Sequence, residues 1–549
     1  MKDWIKITAT GAVAAAVLAA QILTAAAATV VPATPAVPAA PAQKKVKSVI
    51  MMVPDGMSVS ATTLARFYKD PTGKTPLALD EMATGLVRTQ WAGGMITDSA
   101  PAGTAFSTGN KTDDGVIGCL TKAQGYQPVA TVLEAAELAG KSTGLIATSE
   151  IMHATPADFA SHDPSRKSYD NLGEQLAYNG VDVILGAGDS FFSAETRLDR
   201  EDMNLVLKDK GYDVVTTLGG LRASKASRLW GSFSTTSLAY EMDRDTSKEP
   251  SLAEMTAKAI EVLSKDPDGF FLMVEGSKVD WAAHANDTIG IISDTLAFDA
   301  AVKVALNYAK TSGEVAVLAS TDHGNSGLSI GAASTNADYN KRPISDFITP
   351  LKKARLTIEG TLKKFDTMLT PDRANLSNLC ATWYGLDDLT AEELASLNAC
   401  AKTADMGPLM VAMLAKRANL AYTTTGHTGE DVVLYSWSPD GDRLTGVVEN
   451  NALGTYMARK LGVDLSKATS RLFVDGVKAF TAKGAKAEII RNDETGNHLL
   501  QVVKGGQTLL IPVNKNEAWL GDELKTMPGV AVLSNGVFYV SQDAIGLIR

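Results

Sequence analysis

Five short apolar runs constrain the fold of this chain more than any other feature of its sequence. They occupy residues 49–53, 144–147, 181–185, 270–274 and 315–319, and each ends in a polar or glycine-containing segment. Their apolarity is continuous rather than alternating, which is typical of strands buried on both faces. Helical patterns such as 129–139 and 252–263 lie between them. The succession predicts an α/β fold with a large, mostly parallel central sheet and helices on both sides.

Composition narrows the class of protein. The 549 residues are 45% hydrophobic and 21% charged, which is typical of a globular protein with room for a large core and an additional module. The formal net charge of -10 supplies no positive field for phosphate backbones, so we expect no nucleic acid as a dedicated partner.

The cysteines exclude two further classes of protein. Only Cys119, Cys380 and Cys400 occur, too few for a disulfide framework or a thiolate metal site to support the fold. Export would permit a bridge between Cys380 and Cys400. Two unpaired thiols are the alternative, since sequence does not give the distance between them.

The N-terminal region has the pattern of a secretory signal peptide. A charged start precedes an apolar run with several Ala-x-Ala sites, so we assign residues 1–28 as a signal peptide and expect an exported protein in the periplasm, on the cell surface or outside the cell. An uncleaved membrane anchor is the alternative. Residues 29–46 are a Pro/Ala-rich spacer.

Three further segments follow. We expect a catalytic domain over residues 47–465, in which residues 327–420 are a helical insertion over the active-site face, with amphipathic stretches at 351–368, 390–403 and 406–417. The insertion could exclude solvent or pair with a second subunit in a homodimer. Residues 468–549 alternate strands and turns, for example at 471–477 and 536–541, and predict a small β-rich C-terminal domain.

Histidines beside carboxylates point to a metal centre. Asp280 and His284 are four residues apart, so they share one face of a helix, and Asp322-His323 and His427 follow other strands. Imidazole and carboxylate together suit zinc. A single Asp-x-x-x-His usually lies on an ordinary solvated helix face. Groups of histidine and carboxylate recur at several strand ends, however, and this recurrence favours metal binding.

Ser99 opens a run of small residues that is compatible with a helix. Such a serine is commonly an N-cap. The same position exposes it to backbone N–H groups and the positive end of the helix dipole, which favour a phosphoryl anion. A metal ion could stabilise its alkoxide.

Seven segments carry a resemblance to bacterial alkaline phosphatases, which belong to the alkaline phosphatase superfamily. They occur in the family's order at residues 54–58, 97–100, 153–156, 165–167, 275–280, 321–324 and 426–428, and the similarity runs from about 47 to 465. The resemblance implies a metal-dependent phosphomonoesterase that uses a phosphoserine intermediate. Small-molecule phosphate monoesters of broad variety are its implied substrates, and phosphate scavenging is its implied role.

The resemblance also implies which residues act. Two zinc ions and one magnesium ion per chain are implied. Asp280, His284 and His427 would hold one zinc ion and Asp55, Asp322 and His323 the other, while Asp55, Thr155 and Glu275 would hold magnesium. Ser99 would be the nucleophile, Arg166 would clamp the phosphoryl group, and Asp98 would orient Arg166.

Two positions that vary in the family are His153 and Trp281 here. We place both at the substrate site. His153 could contact the third ion directly, contact it through water or be a bystander, and Trp281 could line the entrance or pack against the insertion.

Two alternative functions and a weaker resemblance of the C-terminal region also have to be considered. A phosphodiesterase or sulfatase of the same superfamily is the nearest alternative, but Asp98-Ser99-Ala100 with Arg166 argues against both. A non-catalytic surface protein is the alternative from another class. The C-terminal region resembles the stalk domain near the N-terminus of some copper amine oxidases, which suggests contact with the cell envelope or surface and implies no copper chemistry.

Overall fold

The computed structural model describes residues 45–492 and 495–548. The predicted signal peptide and nearly all of the predicted spacer lie outside these residues. The strands are β1 (Ser48–Val53), β2 (Ala83–Arg88), β3 (Ser142–Glu150), β4 (Val183–Ala187), β5 (Asp213–Val215), β6 (Leu229–Ser232), β7 (Phe270–Glu275), β8 (Val315–Ala319), β9 (Gly324–Asn325), β10 (Ser329–Ile330), β11 (Leu420–Ala421), β12 (His427–Thr428), β13 (Val432–Trp437), β14 (Gly446–Glu449), β15 (Val474–Asp475), β16 (Lys486–Arg491), β17 (His498–Lys504), β18 (Gln507–Pro512), β19 (Glu517–Leu520), β20 (Glu523–Thr526), β21 (Val532–Ser534) and β22 (Val537–Val540).

The α-helices of the same residues are α1 (Val59–Lys69), α2 (Ser99–Thr108), α3 (Val132–Leu138), α4 (Ala154–Ala157), α5 (Tyr169–Asn179), α6 (Met203–Asp209), α7 (Leu218–Ala223), α8 (Leu252–Leu263), α9 (Lys278–His284), α10 (Thr288–Ser312), α11 (Ser345–Ile348), α12 (Ile358–Met368), α13 (Leu376–Tyr384), α14 (Ala391–Ala399), α15 (Gly407–Arg417), α16 (Asn451–Leu461), α17 (Leu465–Leu472), α18 (Gly476–Ala482) and α19 (Gln542–Gly546).

The central sheet has ten strands in the order β14-β2-β13-β8-β1-β7-β3-β4-β6-β5. Strand β13 is antiparallel to both of its neighbours, and the other adjacent pairs are parallel. The predicted α/β fold with a large, mostly parallel sheet is confirmed.

Both faces of the sheet are buried, as the continuous apolar runs predict. Along β1, Ile50 and Met52 contribute to one core with residues of α8, α10 and α15. Val49, Met51 and Val53 point the opposite way and contribute to a second core with residues of α3, α5 and α16. Side chains alternate between the faces of a strand, so every residue of β1 has to be apolar or small.

The structure differs from the sequence-based boundaries in several places. The strand expected at 181–185 is shifted to β4, and the edge strands β5 and β14 have only three and four residues, too few for a clear pattern. The expectation of a strand at 471–477 holds only for the two residues of β15, Val474–Asp475. Helix α17 occupies its start, and Asp475 begins helix α18 by accepting a hydrogen bond from Lys478 N.

The predicted insertion contains α11 to α15. The antiparallel pair β10–β11 closes its base, with Ile330 paired to Leu420. Two aspartates of the core hold the start of α12: Asp287 accepts from Ile358 N at 2.9 Å, and Asp243 accepts from Thr357 N at 2.9 Å. These bonds fix the insertion against the start of α10 and against the segment between β6 and α8.

The C-terminal region is β-rich and has a hydrophobic core of its own. Strands β16 to β20 form an antiparallel sheet in sequence order, and β15, β22 and β21 form a smaller one. Asn514 Nδ2 donates to Glu174 at 2.9 Å and Asn514 Oδ1 accepts from Gln175 at 3.0 Å, while Lys515 pairs with Glu201 at 2.7 Å. These bonds attach the module to α5 and to the loop before α6.

The cysteines are unpaired: Cys119 and Cys380 are buried, and Cys400 is partly exposed. Among the helices of residues 45–492 and 495–548, none combines the length and the apolarity that a membrane crossing requires.

Candidate active site

The carboxyl ends of β1, β7 and β8 lie side by side in the middle of the sheet. Asp55 follows β1, Glu275 ends β7, and Asp322 and His323 follow β8. Parallel neighbours end at the same edge of a sheet, so the strand order alone brings these four side chains together.

The inner group consists of Asp55, Asp322 and His323, all fully buried. His323 Nε2 lies 3.1 Å from Asp322 Oδ2 and 3.5 Å from Asp55 Oδ1. One potential ligand atom from each residue falls within 4.8 Å of the other two. This spacing could accommodate one ion.

The outer group consists of Asp280, His284 and His427. Helix α9 puts Asp280 and His284 on one face, with His284 Nε2 3.3 Å from Asp280 Oδ2. The segment that follows β11 brings His427 Nε2 to 3.7 Å from Asp280 Oδ1. Their ligand atoms also lie within 4.8 Å of one another.

Backbone carbonyls orient both imidazoles of the outer group. His284 Nδ1 donates to Thr425 O at 2.7 Å, and His427 Nδ1 donates to Thr97 O at 2.8 Å. With the proton on Nδ1, each Nε2 presents a lone pair, and the two Nε2 atoms are 3.2 Å apart. Two lone pairs that face each other and a carboxylate are a binding site for a cation.

A third group combines Asp55, His153 and Glu275, again with ligand atoms within 4.8 Å. Thr155, in α4, is fully buried nearby in sequence, and its Oγ1 has no hydrogen-bond partner. Burial, with the Asp322 carboxylate, raises the pKa of Asp55 well above its usual range, and burial raises that of Glu275. Burial therefore favours the neutral form of both carboxyls, and a cation beside them would favour the charged form.

Ser99 is the first residue of α2, and its Oγ lies 3.2 Å from His323 Nε2. Arg166 Nη1 donates to Asp98 Oδ1 at 2.5 Å, which ties the guanidinium to the residue before Ser99. A cavity of about 600 Å³ opens over these groups. Its lining residues are Asp98, Ser99, His153, Arg166, Asp280, Trp281, His284 and His427.

Aromatic contacts connect Arg166 to a buried lysine. Arg166 Nη2 donates to His153 Nε2 at 3.0 Å, and the His153 ring meets Trp281 edge-on at 6.0 Å. Lys278 Nζ lies 4.0 Å from the centre of the Trp281 ring. Burial, with the positive charge of Arg166, lowers the pKa of His153 to about 4, so this imidazole is neutral at pH 7. As an acceptor at Nε2, it carries its proton on Nδ1.

The family model for alkaline phosphatase matches residues 46–463. The chain belongs to the alkaline phosphatase family. Alkaline phosphatase 3 of Bacillus subtilis is 37% identical over 438 residues, which cover 76% of this chain and 90% of the relative. The repressible alkaline phosphatase of Saccharomyces cerevisiae is 31% identical over 485 residues, which cover 77% and 83%.

Solved alkaline phosphatases share the fold. The cold-active enzyme of the psychrophile Shewanella sp. superposes with a TM-score of 0.68 at 28% identity, covering 75% of this chain and 99% of that one. The Thermus thermophilus enzyme superposes with a TM-score of 0.69 at 27% identity. The match covers 77% of this chain and 92% of that one. Alkaline phosphatases are metal-dependent, and this chain is a phosphomonoesterase of the hydrolase class.

Orphaned acceptors test whether the side chains present fit metal ions. Buried polar atoms are normally hydrogen-bonded. Here several buried oxygens of one small region have no hydrogen-bond donor: both of Asp55, both of Glu275, Asp322 Oδ2 and Thr155 Oγ1. When ionised, the five carboxylate oxygens of this set can only accept, so the set fits divalent cations and would otherwise be costly to bury.

Some contacts at the site had no signal in the sequence. Asn325 Nδ2 donates to Asp280 Oδ1 at 2.6 Å and positions that carboxylate. Asn325 lies two residues after His323, so its position near the site could be predicted from the sequence. Its hydrogen-bond partner could not be predicted. The carbonyls of Thr97 and Thr425 are backbone groups and carry no residue-specific signal at all. His162, which lies between two of the matching segments, bonds to Glu134 at 2.9 Å and belongs to the core.

Proposed function

We propose that this alkaline phosphatase works through a phosphoserine formed on Ser99. The observation that carries the proposal is the position of Ser99 Oγ, at the N-terminus of α2 and 3.2 Å from an imidazole of the inner group. In this position the hydroxyl can attack phosphorus while backbone N–H groups of the first turn face the phosphoryl oxygens.

Arg166 is proposed to bind the phosphoryl group through its planar guanidinium. Asp98 holds this guanidinium from one side and His153 from the other, so that little rotamer freedom is lost when substrate binds. Trp281 lies beside His153 at the mouth of the cavity. Since these contacts address the phosphoryl group alone, we infer broad specificity and a role in phosphate scavenging.

The three groups of acceptors are proposed to hold the ions. Asp280, His284 and His427 would hold one zinc ion, Asp55, Asp322 and His323 a second, and Asp55, Thr155 and Glu275 magnesium. Bound ions would supply positive charge that stabilises the attacking and departing oxygens. A substituted form of the TAB5 alkaline phosphatase carries magnesium. Since Asp55 belongs to two groups, its removal should affect more than one ion.

The proposal extends to the cellular setting of the enzyme. The apolar run at 1–28 supports export. Exposed apolar residues support a homodimer: Val447 of the edge strand β14 is paired with Leu86 of the neighbouring strand β2, and the two residues are 52% and 37% exposed. The β-rich module supports contact with the cell envelope. We also propose the domain limits 47–465, 327–420 and 468–549.

Ser99→Ala tests the central assignment, and Ser107→Ala, in the same helix, is the matched control. Ser99→Ala should retain full zinc content and phosphate binding but lose turnover by about 10³-fold or more. Ser107→Ala should remain active, because its hydroxyl only bonds to Thr104 O. Metal analysis paired with hydrolysis of a phosphate monoester and diester at alkaline pH measures both properties. Near-normal turnover in Ser99→Ala would refute the phosphoserine.

Arg166→Ala tests the clamp independently. It should weaken inhibition by inorganic phosphate and lower turnover together while metal content stays unchanged, because a bidentate contact is lost and no ligand is. Unaltered phosphate inhibition would contradict the assignment.

A further inference from the structure

A second cavity shares a wall with the phosphoryl site. It has a volume of about 620 Å³ and lies between the insertion and the segment that leads to His427. His284 lines both cavities, and Thr425, whose carbonyl fixes the His284 ring, lines the second. His284 is therefore a residue that the two cavities share.

The lining of this cavity is chemically unlike that of the phosphoryl site. Helices α12 and α15 contribute Ile358, Leu362 and Val411, and the segment after α15 contributes Leu420 and Tyr422. None of the described residues that line it carries a carboxylate, and Lys416 is the only lysine or arginine among them. The Tyr422 hydroxyl is already bonded to Thr288 Oγ1 at 2.6 Å, so this residue adds mainly its ring.

We propose that this cavity binds the alcohol portion of the substrate and selects phosphate monoesters of apolar alcohols, linear alkyl or aryl. The inference rests on the proposed function, in which the outer group faces the leaving-group oxygen. His284 belongs to that group, so carbon atoms attached to the oxygen can continue past His284 into the apolar space. A site of this size and lining is typical of small-molecule pockets.

The cavity would add selectivity that the phosphoryl site lacks. The groups over Ser99 are polar or charged and address phosphate, which all monoesters share. Only contacts beyond the leaving-group oxygen can distinguish one alcohol from another. The insertion supplies most of these contacts, so its role on this view is recognition of the substrate.

A series of n-alkyl phosphates from ethyl to octyl tests the proposal on the metal-loaded full chain. Their leaving alcohols have nearly equal reactivity, so differences in kcat/KM report binding of the chain. Each buried methylene should raise kcat/KM by up to about fourfold until the cavity is filled. We expect octyl phosphate to exceed ethyl phosphate by at least about tenfold.

Two substitutions of Ala412 localise the effect. Ala412 lines the cavity from an exposed position on α15, so it can be changed without disturbing a core. Ala412→Asp should reduce the octyl-to-ethyl ratio of kcat/KM several-fold by placing a charge beside the chain. Ala412→Trp should move the plateau to shorter chains. Ala395→Asp, an exposed alanine of α14 outside the lining, should leave the ratio and the activity unchanged.

The outcomes separate this inference from the proposed function. Hydrolysis of every ester at one kcat/KM would overturn the alkyl site and leave the phosphomonoesterase intact, whereas hydrolysis of none would overturn both. An unaltered ratio in Ala412→Asp also overturns it. If that variant instead changes the oligomeric state by sedimentation and preserves the ratio, the cavity is a subunit contact and not a substrate site.

Discussion

Buried aspartates and glutamates occur in two regions of this molecule, and they are treated in opposite ways. At the carboxyl ends of the central strands, Asp55 and Glu275 have no hydrogen-bond donor on either oxygen. Beneath the insertion, Asp243 and Asp287 accept bonds on both oxygens. Asp287 is as deeply buried as Asp55 and Glu275, while Asp243 is partly exposed, so for the three buried acids the difference lies in their hydrogen-bond partners.

The acids beneath the insertion are structural. Asp287 caps α10 through Ile289 N at 3.2 Å, and it accepts from Ile358 N at 2.9 Å and from Tyr384 Oη at 2.7 Å. Donors supplied by the protein compensate the lost hydration of this carboxyl. The acids at the strand ends lack such donors, which is the difference expected between carboxylates that bind cations and carboxylates that hold the fold together.

The largest effect that the comparison predicts is that of Asp55→Asn. This change should lower turnover by about 10³-fold or more and deplete more than one metal ion, because Asp55 is proposed to serve two groups. Asp243→Asn makes the same change in the other region and should keep metal content and turnover. Metal analysis with kinetics at matched free zinc and magnesium checks both, and the loss of a single ion in Asp55→Asn would contradict the shared role.

Asp287→Ala should have the opposite effect to Asp55→Asn, lowering stability and leaving metal binding intact. It removes an acceptor from three donors, so we expect a loss of about 2–4 kcal/mol of stability with zinc content intact. Hydrogen exchange should rise in α12 and α13, since Ile358 and Tyr384 lose their partner. Chemical denaturation and exchange mass spectrometry measure the two effects. Depleted zinc in a folded variant would show that the two regions are not independent.

The residues at the strand ends were the most predictable part of the molecule. Continuous apolar runs marked β1, β7 and β8, and the polar residues after them, such as Asp55 and Asp322, lie together because neighbouring parallel strands end at one edge. Strand β2 gave no signal, because most of its residues are exposed or partly exposed and form no buried run.

Hydrogen bonds between segments that are distant in the sequence could not be predicted. The donors to Asp287 come from α12 and α13, and which helix of an insertion packs against which aspartate depends on tertiary structure. Helix α18 was missed because Asp475, the residue that caps it, also fits a turn between strands.

His153→Asp sharpens the comparison at the third group. It replaces a neutral imidazole with an oxygen ligand among Asp55, Glu275 and Thr155, so magnesium should bind several-fold more tightly and excess zinc should inhibit less. Activity as a function of zinc at fixed magnesium, in both proteins, checks this. Superimposable curves would make His153 a bystander to that ion.

Asp294→Asn gives the smallest expected effect and concerns pH. Burial raises the pKa of Asp294 to about 8, so the folded state keeps a proton that the unfolded state releases above about pH 4. Stability contributed by this group therefore falls as pH rises from about 4 to about 8. The variant should gain about 2 °C in Tm over the parent above pH 8 and little at pH 4. An equal difference at both pH values would contradict the shift.

The outer group joins side chains from far apart in the sequence, Asp280 and His284 from α9 and His427 from beyond the insertion. During synthesis or translocation the chain emerges in order, so Asp280 and His284 are exposed well before His427 follows. A nascent chain thus has only two of these three proposed ligands until the whole insertion has passed. We therefore expect zinc loading to be a late event that follows folding, in the compartment where the finished polypeptide resides.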